Sequence, residues 1–126
     1  MRKTVLYFLV LFTALIVTSC KKDPLSPDGK SWVLDDGRYY GILDLRLGGG
    51  KCIYKFIIES EIESGKTYYF TKKDVYKYSL AKLGDGWIIK VGDCHFYLTN
   101  VTADKAFFDE YNLMYVVDYK SVVTPE

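Results

Sequence analysis

For catalysis or metal binding this chain offers one histidine, three cysteines and 16 carboxylates in 126 residues. A nucleophile or proton carrier acts only with a base within hydrogen-bond reach. Cys94 and His95 are adjacent, and successive side chains of a strand point to opposite faces, so they cannot form a dyad with each other. A pairing of His95 with Cys52 stays open, but His95 as an ordinary strand residue is the preferred reading. One histidine and two cysteines without close spacing make no zinc pattern, and Asp35-Asp36-Gly37 is too short for a calcium loop. Glu59, Glu61 and Glu63 alternate along a polar loop and read as a solvated edge. Gly48-Gly49-Gly50 invites a phosphate-loop reading, yet no Lys-Ser/Thr pair or helix start follows, and a hairpin turn is the better one. The expectation is a protein that is not an enzyme, with no catalytic residue, metal site or cofactor.

The third cysteine, Cys20, is different, because what precedes it specifies its chemistry. Arg2 and Lys3 form a cationic head and residues 5–17 an apolar run. A membrane-spanning helix needs about 20 apolar residues and a secretory core roughly 7–15, so residues 1–19 read as a signal peptide. The run ends in Val17-Thr18-Ser19-Cys20, which resembles the lipobox of bacterial lipoproteins, with Val17 where that family usually has Leu. The resemblance implies cleavage before Cys20 and acylation of its sulfur by palmitate-type chains. One acyl chain holds a protein to a bilayer only marginally; several hold it almost permanently. Lys21 follows the cysteine, and in lipoproteins of the enteric type the lack of Asp at that position implies the outer membrane. Surface-displayed lipoproteins of the Bacteroidota carry acidic residues just after the cysteine; here Asp23 alone is acidic, and the exposed leaflet stays open.

Cleavage would remove Arg2 and Lys3 and no acid, turning a formal charge of +1 into about −1. No strong overall field follows, and neither nucleic acid nor an anionic membrane surface is expected as an electrostatic partner. What is left is the size of one domain. Two cysteines remain in a chain bound for an oxidising space. Two buried free thiols are the preferred reading, with a Cys52–Cys94 disulfide the alternative, since bridging depends on a separation that sequence does not fix.

The elements that would position these residues are strands. Residues 20–30 carry two prolines and a glycine and read as a lipidated cysteine followed by a tether that nothing packs against. The domain is expected over 31–123. Residues 32–34 form a short apolar run, Asp35-Asp36-Gly37 a turn, and 38–47 a half-buried strand with Tyr39, Gly41, Leu43, Leu45 and Leu47 opposing Tyr40, Ile42, Asp44 and Arg46. Residues 51–60 place Cys52, Tyr54, Phe56 and Ile58 inside; Ile53 and Ile57 on the other face suggest partial cover. Further strands are read at 67–71, 75–80, 87–91 and 94–99, then a short turn near Thr102, a brief strand at 106–109, and one long strand over 113–123. The tail 124–126 is expected to be free. About eight strands joined by tight turns predict an all-β fold, a small antiparallel barrel or sandwich built as a meander.

The early Trp32, the hairpin around Gly48 to Gly50, and the segments YKYSL (76–80), GWIIKV (86–91) and FYLTNVT (96–102) resemble the small lipocalin-like lipoproteins of Bacteroidota. The implied role is a membrane-tethered, non-catalytic envelope lipoprotein that binds a small apolar or sugar ligand in the barrel mouth, or an envelope protein. Twelve tyrosines supply amphipathic rings of the kind that dominate contact energetics. The candidate contacts are Tyr39, Tyr40, Tyr68, Tyr69, Trp87 and Tyr97. Ser64-Gly65-Lys66-Thr67-Tyr68 resembles the Ser-Gly-x-x-Tyr loop of membrane-bound inhibitors of c-type lysozyme. That gives the alternative role, an inhibitor of an envelope-directed enzyme acting through residues 61–67.

Overall fold

The computed structural model describes residues 26–57, 60–109 and 112–125. The signal segment, Cys20, the first part of the tether, and Ile58, Glu59 and Glu126 lie outside the described residues. Eight strands close into a ring: β1 (Ser31–Asp35), β2 (Tyr40–Gly48), β3 (Lys51–Ile57), β5 (Val75–Leu83), β6 (Gly86–Val91), β7 (Cys94–Thr99), β8 (Lys105–Phe108) and β9 (Asn112–Val116). Every neighbouring pair is antiparallel, and β9 returns to β1 through Trp32 opposite Val116 and Leu34 opposite Met114. The expected meander is therefore a closed barrel, interrupted between β3 and β5 by β4 (Thr67–Phe70) and a 3-10 turn (Lys72–Asp74). Among the described residues no helix is long and apolar enough to cross a membrane.

Alternation sorts the side chains. Trp32, Leu34, Leu43, Leu45, Cys52, Ile89, Val91, Phe96, Leu98, Phe108 and Met114 are buried together inside the barrel. An eight-stranded barrel is just wide enough for side chains to fill. The glycine triplet turns β2 into β3 with all three residues at positive φ, a conformation costly for any residue with a Cβ.

A second core lies on the outside of the wall. Val33, Ile42 and Ile53 project outwards from β1, β2 and β3 and are covered by Ile62, Phe70 and Tyr119. The cover is a two-stranded parallel ribbon in which β10 (Lys120–Val123) pairs with β4. This corrects two expectations. The half-buried strand at 38–47 is buried on both faces over much of its length, because the ribbon covers Ile42 and Asp44. The single strand at 113–123 is two elements. β9 ends at Val116, Ser31 ties down the next residue by donating its hydroxyl to the Val117 carbonyl at 2.6 Å, and the chain then leaves the barrel to reach β4.

Both chain ends of the domain also differ from expectation. Ser26 and Pro27 are buried, so the packed domain begins before Ser31 and residues 26–30 are not free tether. Nor is Thr124 free: its amide and its hydroxyl both donate to the Phe70 carbonyl, at 2.8 and 3.1 Å.

Candidate binding site

The two ends of the barrel are built differently. At the end where β1 begins, residues 26–30 lie across the opening. The indole N–H of Trp32, itself fully buried inside the barrel, donates to the Pro27 carbonyl at 2.8 Å. The Tyr78 hydroxyl donates to Asp28 on one side, and Lys30 Nζ donates to the Ala103 carbonyl at 3.1 Å on another. Burial and the Asp28 carboxylate push the Tyr78 phenol above its ordinary range, which keeps it protonated as the donor. This end is plugged.

At the opposite end the inward row of β3 meets β5, β7 and β8 in a chain of rings. Tyr54 is edge-on to Phe56, Tyr76 and Phe96 at centroid separations of 5.9, 6.1 and 5.6 Å, and Phe96 is edge-on to Phe108 at 5.9 Å. Such pairs contribute about 0.5–1.5 kcal/mol beyond the area they bury. Phe96 and Phe108 are buried and Tyr54 is half-buried, but Phe56 is 41% and Tyr76 39% exposed. Phe56 lies flat over Gly41 on the neighbouring strand; a Cβ there would meet its ring at 2.9 Å. Gly41 thus lets an aromatic face rest on the strand at the rim.

The sequence-predicted contacts are not brought together. Tyr40 and Tyr68 pack against the outer core, and the Tyr68 hydroxyl accepts from the Glu63 amide at 2.8 Å. Tyr69 points away from the ribbon, 68% exposed. Tyr39 sits beside Arg38 in the β1–β2 loop, its ring 5.5 Å from the guanidinium. Trp87 packs against the barrel core with Lys82 above it at 5.0 Å, and Tyr97 stands on the outer wall of β7. The rim aromatics Tyr54, Phe56 and Tyr76 were missed because period 2 assigns them to the interior. That is their direction, but it does not say that they stand at its end.

The chemistry-bearing side chains are likewise apart. Cys52 is buried inside the barrel, and burial followed by the Asp44 charge pushes its thiol up to about 12. His95 projects from the outer wall of β7, exposed, so the wall itself separates the two. Cys94 is exposed, not buried, and both cysteines are free thiols. Among the described residues no group of three or more His, Cys, Asp or Glu could hold a metal ion.

One polar cluster surrounds a buried carboxylate, beside a Tyr119 hydroxyl that is buried without a hydrogen-bond partner among the described residues. Asp44 is 1% exposed and accepts Arg46 Nε at 2.8 Å and the Arg46 amide at 3.0 Å on one oxygen, and Arg46 Nη2 at 2.7 Å and the Ser121 hydroxyl at 2.6 Å on the other. Burial alone would raise its pKa; these four donors outweigh it and hold the carboxyl below its ordinary range. Arg46 lies over the Tyr119 ring at 4.9 Å. The cluster clips β10 to β2 at the side of an open groove of about 520 Å³. A buried carboxylate that accepts four hydrogen bonds has a structural use, holding two distant strands together.

Compared with models of protein families, with characterised proteins and with solved structures, the chain matches none.

Proposed function

We propose that this chain is a membrane-tethered, non-catalytic lipoprotein of the cell envelope, acylated at Cys20 and held at the outer membrane, whose barrel binds a partner through its aromatic end. One observation carries the reading: the barrel is filled and plugged where the chain enters it, while the far end exposes Phe56 and Tyr76 as partly stripped rings. A filled barrel offers an internal ligand no room, which favours contact at the rim over a lipocalin-type cavity. Large rings that bury area at low entropy cost are what interface centres use. The entry at Ser26 lies at the plugged end, so a tether running from Cys20 presents the rings away from its anchor.

The test uses the full chain in its native envelope with a photo-crosslinking residue at position 56 or, as a control, at position 105. A discrete adduct from position 56 and none from 105 supports the reading; no adduct from 56, or equal adducts from both, removes it. Separately, Cys20→Ala should abolish acylation and firm membrane attachment. Full attachment of a cleaved Cys20→Ala chain would end the lipoprotein part.

A second reading, inhibition of an envelope-directed enzyme such as lysozyme, is favoured by the loop at 61–67. Gly65 N donates to the Asp118 carbonyl at 2.9 Å and Lys66 N to the Glu63 carbonyl at 3.4 Å, which fixes an exposed loop in one shape, and pre-organisation is what a tight inhibitor loop needs. The domain at micromolar concentration should slow lysozyme; no slowing discards this role.

A further inference from the structure

The near-neutral charge of the mature chain conceals a local concentration of one sign. Strand alternation turns Lys51 on β3, Lys77 on β5, Lys90 on β6 and His95 on β7 to the outer wall, all exposed. Register places them in a row: Lys51 is directly opposite Lys77, and Lys90 is directly opposite Ser79 on one side and His95 on the other. Four neighbouring strands span roughly 15 Å at the usual strand spacing. Lys72, on the 3-10 turn, joins Lys51 and Lys77 around a groove of about 510 Å³ that Tyr76 also lines. A second groove of about 220 Å³, lined by Lys77, Ser79 and Lys90 among others, shares Lys77 with it.

No ion pair in the described fold neutralises this row, although Asp93 lies in the turn between Lys90 and His95. Among the described residues Lys51, Lys72, Lys77 and Lys90 have no ion-pair partner. The nearby Asp74 is engaged elsewhere, accepting the Thr71 amide at 3.0 Å and pairing with Lys55 at 3.7 Å. Like charges directly opposite on adjacent strands destabilise a sheet, so the Lys51–Lys77 pair is a local cost that no internal contact offsets.

We propose that this row is a binding groove for an acidic polysaccharide chain, running along the outer wall and meeting the aromatic end at Tyr76. Lys51, Lys77 and Lys90 line two grooves that share Lys77, and a groove fits a chain better than a lipid surface. Its cations are lysines, hydrated point charges on flexible stems; the rigid forks of arginine that suit one fixed phosphate or carboxylate are absent from it. Point charges at strand spacing suit charges that repeat along a polymer without fixed placement. Of the two tyrosines that line the grooves, Tyr78 packs against the barrel interior and Tyr76 alone is exposed, whereas single-stranded nucleic acid is held by a succession of stacking rings.

The test measures binding of a heparin oligosaccharide and of polygalacturonate to the soluble portion, residues 21–126, which contains every residue of both cores. Binding should be salt-sensitive, and Lys51→Gln with Lys77→Gln should weaken it about tenfold to thirtyfold. The double variant should also make the slope of log affinity against log salt shallower by about one to two. Lys105→Gln, on β8 and outside both grooves, should leave binding unchanged. The double variant should unfold at the same temperature as the parent or higher, because a like-charge opposition is relieved; a structural role would lower it. The proposal is overturned by absence of binding at low salt, by equal losses in Lys105→Gln, by tighter binding of a single-stranded oligonucleotide of equal charge, or by anionic vesicles binding as well as the glycan.

Discussion

The two ends of this barrel are made from the same inward-facing rows and differ in what meets them. At the plugged end Trp32 finds a carbonyl from residues 26–30 for its N–H and disappears from solvent. At the other end Tyr54, Phe56 and Tyr76 continue the interior outwards, and no such segment is brought across them in the described fold. The difference teaches that ring content alone does not mark a contact surface. The same residue types are core where a segment caps them and surface where none does, so the strongest tests are those that treat the two ends unequally.

The largest effect is expected at the plugged end. Trp32→Ala removes a fully buried ring and orphans the Pro27 carbonyl, and should cost about 3–5 kcal/mol, read as a fall in the urea midpoint with the slope unchanged. A loss below about 1 kcal/mol would mean that the plug is not part of the cooperative fold.

Beside that end, on the outer wall, Asp44→Asn should cost about 3 kcal/mol, toward the lower end for breaking a buried pair because Arg46 can be rehydrated. The pH dependence has a definite sign. Asp44 is held below its unfolded pKa of about 3.9, so its contribution is present above that value and is lost as pH falls through the lower folded value. Parent and variant should differ by a constant amount from pH 7 to about 5 and begin to converge below about 4. A difference that had not shrunk at all between pH 5 and pH 3 would show that packing, and not ionisation, holds the clip.

The aromatic end should respond in the opposite way. Phe56→Ala truncates a ring that is already 41% exposed and should cost about 1 kcal/mol or less, while reducing partner capture from that end. Gly41→Ala forces the same ring off β2, where the new Cβ would stand 2.9 Å from it. It should therefore reproduce the binding loss of Phe56→Ala with the ring still present, checked by capture measured beside near-ultraviolet circular dichroism.

Much of the barrel was legible because period 2 and turn chemistry are local. The hairpin at Gly48 to Gly50, the brief strand expected at 106–109, and the inward rows of β2 and β3 all follow from residue order. The parallel ribbon was not. Parity runs unbroken from Tyr115 through Val117 to Tyr119, so alternation reads straight across the point where the chain leaves the barrel. Only the distant β4 decides that it does. Asp44 read as a solvent-facing charge for the same reason: its burial is caused by Ser121, 77 positions away. Residues 26–30 read as tether because Pro and Gly punctuate them, yet their carbonyls and Asp28 are what Trp32 and Tyr78 require. The lysine row is legible only once register sets Lys51 opposite Lys77.

The smallest perturbation separates the two ends most directly, since it changes nothing in the fold. Cys94 is exposed near the Tyr54 phenol at the aromatic end, while Cys52 lies within the filled barrel. A thiol pushed up to about 12 is ionised at pH 7.5 in fewer than about one molecule in 10,000, and the thiolate is the reacting form. A maleimide added to residues 21–126 should therefore label Cys94 within the mixing period and reach Cys52 only through opening of the barrel. A partner seated on the aromatic end should shield Cys94 and leave Cys52 as slow as before. Because access to Cys52 follows the opening equilibrium, Trp32→Ala should speed its labelling by about 150-fold or more, matching the stability it removes, whereas Phe56→Ala should speed it no more than about fivefold. Equal acceleration by both would show that the two ends open as one unit, and the contrast between a plugged core and an exposed rim would then have no energetic content.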